Sequence, residues 1–346
     1  MSQSHDRVTL GNFLALIADN PRLEKLWVKK YKIAKSASPH PPAPVSLPRL
    51  SSITPENCDS HLILSVLRIP NTATLRIMYA LRYVTRRVRN SLADAFPLNP
   101  TIVGSLKRVQ VLLYDVDETT AILFLKDSQG KKLVHVEQGH KVPELGPLLI
   151  GRRFPSFFDT DFRGLFALDQ AADLFASLTT LQLDLRGLPN YDIGDSGLSF
   201  WLSFFRSAPL LEVLRASYLP MPPMLDGLNL SNNNRTVLCP SLRKLQLDIR
   251  TGAFDLKNDW LLQVIDTTLW RSRCGSPFRE VFVYLMSSGY GHEFMLPPDA
   301  VRAMFSLRNA GVKKMVFSNG TTSHKFGESP ISISSRLRCD PHFVLS

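Results

Sequence analysis

The chain has 346 residues, 44% hydrophobic and 21% charged, with a formal net charge of +11 at pH 7. That composition excludes a disordered chain and fits one elongated repeat domain or two globules. The charge admits acidic protein or nucleic acid partners, but the basic residues are scattered, and of the densest runs, Lys29-Lys30-Tyr31-Lys32 and Arg86-Arg87-Val88-Arg89, the second reads as a solvated helix face, so nucleic acid is not the expected partner.

In chain order, leucine-type pairs spaced three apart recur, often with a third apolar residue two further on. Leu23, Leu26 and Val28 open the series; Leu50 and Ile53 follow, with Cys58 five residues after Ile53. Then come Leu178, Leu181 and Leu183; Leu211, Leu214 and Ala216; Leu242, Leu245 and Leu247; Phe278, Val281 and Val283; and Val312, Met315 and Phe317. The second members Leu26 and Ile53 stand 27 apart, and those from Leu181 to Met315 follow at 33, 31, 36 and 34. Such a period is of solenoid type, and the period-2 pattern in each set predicts a short strand with one buried face.

Runs of helical period precede most sets: Phe13, Leu14, Ile17 and Ala18; Leu62, Ile63, Val66 and Leu67; Leu198 to Phe205; Trp260 to Leu269; and Val301 to Leu307. Asp299 is placed to cap the last of these and Gly311 to close it. One helix–turn–strand unit cannot bury its own apolar face, whereas stacked units pair their strands into a parallel sheet with helices outside. The expectation is an α/β fold: a single right-handed leucine-rich-repeat-like solenoid over 1–346, irregular, with about seven to nine repeats and the parallel sheet on its concave face.

Three stretches break the rhythm. Residues 36–48 hold five prolines and predict an extended loop. Residues 106–137 contain three β-like runs, Val109–Tyr114, Ala121–Leu125 and Lys132–Val136, with a turn at Ser128-Gln129-Gly130, and read as added strands or a hairpin. The tail from 319 to 346 reads as weakly structured.

The phrases Asp19-Asn20-Pro21-Arg22-Leu23-Glu24-Lys25-Leu26, Val45-Ser46-Leu47-Pro48-Arg49-Leu50, Ile69-Pro70-Asn71-Thr72-Ala73-Thr74-Leu75, Ala208-Pro209-Leu210-Leu211-Glu212-Val213-Leu214 and Cys239-Pro240-Ser241-Leu242-Arg243-Lys244-Leu245 resemble the leucine-rich-repeat region of fungal, basidiomycete-type F-box proteins. The resemblance covers most of 10–75 and 165–320. It implies the substrate-recognition half of a ubiquitin-ligase adaptor, which binds a Skp1-like protein through an F-box. No stretch here has the Leu-Pro-x-Glu-type start of an F-box, so a Skp1-like partner is expected only if an F-box exists outside this chain. The usual turn asparagine is also missing, with Cys58 at the corresponding place.

Within each strand the leucines are core, and the residues between them are the candidates for recognition. The sequence nominates Trp27, Arg215, Gln246, Phe282 and Tyr284 as partner-binding, the aromatics as anchors. The expected partner is a protein, with no cofactor, no metal and no catalytic residue.

The competing enzymatic reading rests on Val111-Leu112-Leu113-Tyr114-Asp115-Val116-Asp117-Glu118-Thr119. An apolar strand ending in D-x-D-x-T resembles the first motif of haloacid-dehalogenase-type phosphatases, which implies Asp115 as nucleophile and Asp117 as general acid/base beside magnesium. The later acidic pair of that family has no convincing counterpart; Asp192 and Asp195 are the nearest. Gly194-Asp195-Ser196-Gly197 resembles a protease nucleophile loop but reads more simply as a helix start.

The four cysteines, Cys58, Cys239, Cys274 and Cys339, have neither zinc-site nor disulfide-framework spacing. They are expected as free thiols in a reducing compartment, cytoplasmic or nuclear. Neither a signal peptide nor a membrane span is expected.

Overall fold

The computed structural model describes residues 9–30, 44–56, 58, 60–81, 109–116, 120–140, 175–184, 196–217, 221–229, 237–250, 259–286, 307, 312–318 and 342–345. The protein is mixed α/β, mostly parallel in its strand pairing, and divides into two compact units, Met1–Ser177 and Leu178–Ser346.

The first unit opens with helix α1, Leu10–Ala18, whose N-terminus is capped by Thr9 accepting from the Asn12 amide at 3.3 Å. Its buried stripe is Leu10, Phe13, Leu14 and Ile17, the helical spacing that seats one face on the core. Strand β1 (Lys25–Lys29), β2 (Val45–Ser46), β3 (Ser52–Glu56), α2 (Ser60–Ser65), β4 (Leu67–Arg68), β5 (Thr74–Leu81), β6 (Val111–Val116), β7 (Thr120–Lys126) and β8 (Lys132–His140) follow. The sheet runs β1-β3-β5-β8-β7-β6. Pairing is parallel from β1 to β8 and antiparallel from β8 through β7 to β6.

The second unit contains β9 (Thr180–Asp184), α3 (Ser196–Ser207), β10 (Val213–Ser217), α4 (Met221–Asn229), β11 (Lys244–Arg250), α5 (Asp259–Arg273), β12 (Glu280–Met286), β13 (Lys314–Ser318) and β14 (His342–Leu345). Strands β9 to β13 pair in chain order, all parallel, and β14 closes antiparallel to β13. On one side α3 packs against α4 and α4 against α5, so the helices keep the order of the strands.

The proline phrase is a turn that launches β1, β3, β10 and β11. In Asn20-Pro21-Arg22-Leu23, Leu47-Pro48-Arg49-Leu50, Ala208-Pro209-Leu210-Leu211 and Cys239-Pro240-Ser241-Leu242 the first carbonyl accepts from the fourth amide at 3.0–3.2 Å. Proline's fixed φ suits the second position of such a turn. Just beyond, one carbonyl receives two amides of the next unit: Thr179 from Glu212 and Val213, Glu212 from Arg243 and Lys244, Arg243 from Arg279 and Glu280. These paired bonds fix the register, so a one-residue slip, which would turn the leucines outward, is blocked.

Register aligns Leu181, Leu214, Leu245, Val281 and Met315 in one row and Leu183, Ala216, Leu247, Val283 and Phe317 in another. Leu181, Leu183, Leu214, Leu245, Leu247, Val281 and Val283 are fully buried. At about 1.5–3 kcal/mol per side chain buried, these rows stabilise the unit.

Several expectations change. The proline-rich span 36–48 is not all loop, because Val45–Ser46 pairs in parallel with Leu67–Arg68, the Val45 amide donating to the Val66 carbonyl at 2.9 Å. Val66 and Leu67 therefore leave the helix expected there. Within 319–346, His342–Leu345 forms a strand, because β13 offers it an open edge for backbone pairing. Helix α4 was unforeseen. Pro222 and Pro223 sit in its first turn, where amides lack partners anyway, and Gly227 faces Trp201, whose Cβ would stand 3.0 Å from an added methyl. Helix α3 begins at Ser196, as the Asp195-Ser196-Gly197 reading expects. The helix over 301–307 with Asp299 and Gly311 lies outside the described residues, apart from the buried Leu307.

Candidate interaction surface

The face opposite the leucine rows of the second unit carries three rows of side chains. Thr180, Val213, Lys244 and Glu280 form the first; Gln182, Arg215, Gln246 and Phe282 the second; Asp184, Ser217, Asp248 and Tyr284 the third. Four of the five nominated residues thus come together on adjacent strands. Trp27 belongs to the other unit.

The aromatic end of this face is tightly built. Phe282 and Tyr284 stack with ring centroids 6.3 Å apart and planes 9° from parallel. The Lys244 ammonium lies 4.6 Å from the Phe282 centroid and pairs with Glu280 at 3.0 Å. Phe282 is only 7% exposed. Strand alternation turns the ring away from the leucines but carries no information about what lies above it. Tyr284 is half-buried and packs against it.

The polar end is electrostatically strained. The Ser217 hydroxyl donates to Asp248 Oδ2 at 2.6 Å, while Asp248 Oδ1 and Arg215 Nε are buried without a hydrogen-bond partner. Burial, with the Asp184 carboxylate adding, pushes the Asp248 carboxyl above its ordinary value against the hydrogen bonds from Ser217 and Gln246 and the Arg215 charge. Burial and the Asp248 charge likewise raise the Tyr284 phenol. A donor and an acceptor buried without partners each cost stability.

In the first unit a further row crosses the sheet, joining Trp27 and Thr54 to Arg76, His135, Phe124 and Leu113. Phe124 and His135 stack at 4.5 Å, and the Lys132 ammonium sits 4.3 Å from the Phe124 centroid. Glu137 lies 3.6 Å from both Arg76 Nη2 and His135 Nε2. Burial, with the Arg76 charge, lowers the His135 imidazole against the pull of Glu137. The alternation of β5, β7 and β8 was visible in sequence, but nothing local showed that β8 pairs with β5.

Asp115 lies in β6 opposite Ile122 of β7, and the chain reverses into β7 by Thr120. Asp117, Asp192 and Asp195 lie outside the described residues. Among the described residues no group of three or more His, Cys, Asp or Glu could hold a metal ion. No helix among them is long and apolar enough to cross a membrane.

Two thiols are structural. Cys239, at φ 48°, donates to the carbonyls of Phe205 at 3.3 Å and Ala208 at 3.2 Å, and burial pushes it to about 12. Cys58 donates to the Val28 carbonyl at 3.7 Å, a side-chain bond to the neighbouring repeat at the position where the resemblance implies asparagine. Cys274 is exposed. Comparison with known proteins finds no matching family model, no matching curated protein and no matching solved structure.

Proposed function

We propose that the chain is an irregular leucine-rich-repeat-type solenoid acting as a protein-interaction module, without enzymatic activity. In this reading it resembles the substrate-recognition half of an F-box ubiquitin-ligase adaptor. The observation that carries the proposal is the outer face of the second unit. There, rigid parallel strands present Gln182, Arg215, Gln246, Asp184, Asp248 and Tyr284 in register on one surface. Unpaired polar atoms beside a stacked aromatic pair are the chemistry of protein recognition: aromatic area for affinity, buried hydrogen-bonding groups for specificity. The strands in chain order, the helices in the same order and the repeated proline turns support the solenoid form.

The test is affinity capture from the native cells with the wild-type chain, scored for a reproducible protein partner and for a Skp1-like protein, beside an assay of magnesium-dependent phosphate-ester turnover. A specific protein retained without turnover is the expected result. Recovery of a Skp1-like protein would place the chain in an adaptor, and its absence alongside a specific partner would leave the interaction module and remove the ubiquitin link. Turnover abolished by Asp115→Asn would overturn the proposal in favour of the phosphatase.

A further inference from the structure

Strand β1 lies at the end of the first unit's sheet and, among the described residues, is hydrogen-bonded on one side only, to β3. The Glu24 carbonyl accepts from the Ser52 amide and the Lys30 amide donates to the Glu56 carbonyl, so alternate residues from Glu24 to Lys30 turn their backbone groups toward β3. Lys25, Trp27 and Lys29 turn theirs to the open side. An open strand edge is a template for another strand.

The side chains on this edge are of two kinds. Trp27 is 66% exposed, an indole that a solvated protein surface gains nothing by showing. It is also held: its Nε1–H donates to Glu56 Oε2 at 3.2 Å, and the Lys29 ammonium stands 5.3 Å from its ring centroid. Lys29 in turn pairs with Glu56 at 2.9 Å, and this hydrogen bond is the main reason the Glu56 carboxyl is held below its ordinary value. Along this edge segment, Arg22, Lys25, Lys29 and Lys30 are exposed, against the acidic Glu24 and Glu56.

We infer that the β1 edge is a docking site for an extended acidic segment of a partner protein, which adds as a strand with an apolar side chain on Trp27 and acidic side chains reaching the flanking lysines. Edge pairing supplies main-chain hydrogen bonds, and the alternate side chains supply specificity. The charge pattern selects the occupant. An antiparallel second copy centred on Trp27 would set Lys25 opposite Lys29 twice, and like charges directly opposite destabilise a pair. Acidic residues at those places are complementary. The lysines that guard the edge against self-pairing therefore admit an acidic strand. This site is separate from the face on which the proposed function rests, and each can fail alone.

The experiment uses the full chain and a pooled library of short fluorescent peptides in which acidic residues alternate with randomised apolar ones. Control pools carry lysine in place of the acids, or N-methyl groups on alternate amides, and single-stranded RNA is a further competitor. Saturable, salt-sensitive binding of the acidic pool is expected, with loss of binding to the N-methylated pool. Trp27→Ala and Lys25→Glu should each weaken it by about tenfold. Lys25→Glu leaves the Lys29–Glu56 pair intact, so its effect does not depend on refolding of the edge. Absence of saturable binding by the acidic pool would overturn the inference. So would equal binding of the N-methylated pool, which would indicate charge attraction without strand addition, or tighter Trp27-dependent binding of RNA.

Discussion

The two units treat the same strand-launching turn differently. In the second, where the turn precedes β10 and β11, the strands follow at intervals of 33, 31, 36 and 34 residues, with α3, α4 and α5 in the first three intervals. In the first, β1, β3 and β5 follow at 27 and 22 residues, and an antiparallel meander, β6 to β8, then continues the sheet. Longer intervals leave room for a helix of 9 to 15 residues per step, as α3, α4 and α5 show. The shorter ones hold, among the described residues, α2, of 6 residues, and the two-residue pair β2 and β4. Interval length therefore sets how long a connecting helix can be, while the parallel register of the strands is kept.

The largest effect on this comparison comes from Arg271. It is fully buried in α5, its guanidinium donating to the carbonyls of Leu238 at 2.9 Å and Cys239 at 2.8 Å and lying 4.8 Å from the Phe278 centroid. Burial lowers it to about 10, so it remains charged at neutral pH. It ties a helix to the Cys239 turn, a link available only where the interval holds a helix. Arg271→Ala removes both side-chain hydrogen bonds and opens a cavity, for an expected loss of about 3 kcal/mol in denaturant unfolding. A loss well under about 1 kcal/mol would show that the helix layer is not tied to the turns in this way.

A smaller effect separates the outer faces by pH. The Asp248 carboxyl is raised in the folded chain, so folding penalises its charged form. That penalty is absent below the ordinary carboxylate range and complete above the raised value. Asp248→Asn should stabilise the protein by about 1 kcal/mol at neutral pH, with the gain vanishing on acidification. His135 is lowered, so its neutral form is favoured, and folding loses stability as pH falls through its ordinary value of about 6.5. His135→Gln should flatten the melting-temperature profile near that pH, whereas Asp248→Asn should flatten it in the carboxylate range. Profiles unchanged in both variants would remove the electrostatic contrast between the faces.

Much of the second unit was legible because its leucines are both the repeat mark and the buried rows: the spacing read between Leu181, Leu214, Leu245, Val281 and Met315 is the strand register. In the first unit Leu26 and Ile53 behave the same way. Strands β2 and β4 are too short to have a period. Helix α4 hid behind Pro222, Pro223 and Gly227, which ordinarily mark turns. The candidate surface was legible as a face but not as an environment. Arg215, Gln246, Phe282 and Tyr284 share one side, yet the burial of Phe282 and of the Asp248 carboxyl depends on neighbours distant in sequence. Arg271, basic in the last turn of a helix, gave no sign that it would be buried.

The claim at the centre of this account is that the outer sheet face of the second unit binds the partner. The direct measurement is the affinity of a captured partner for wild-type chain and for Arg215→Ala, Gln246→Ala and Tyr284→Ala, with Leu262→Ala, on the exposed side of α5, as the control. The account predicts a loss of about tenfold or more for at least one face variant, with unchanged circular dichroism, and no change for Leu262→Ala. Full affinity in all three face variants, or a loss confined to Leu262→Ala, would contradict it.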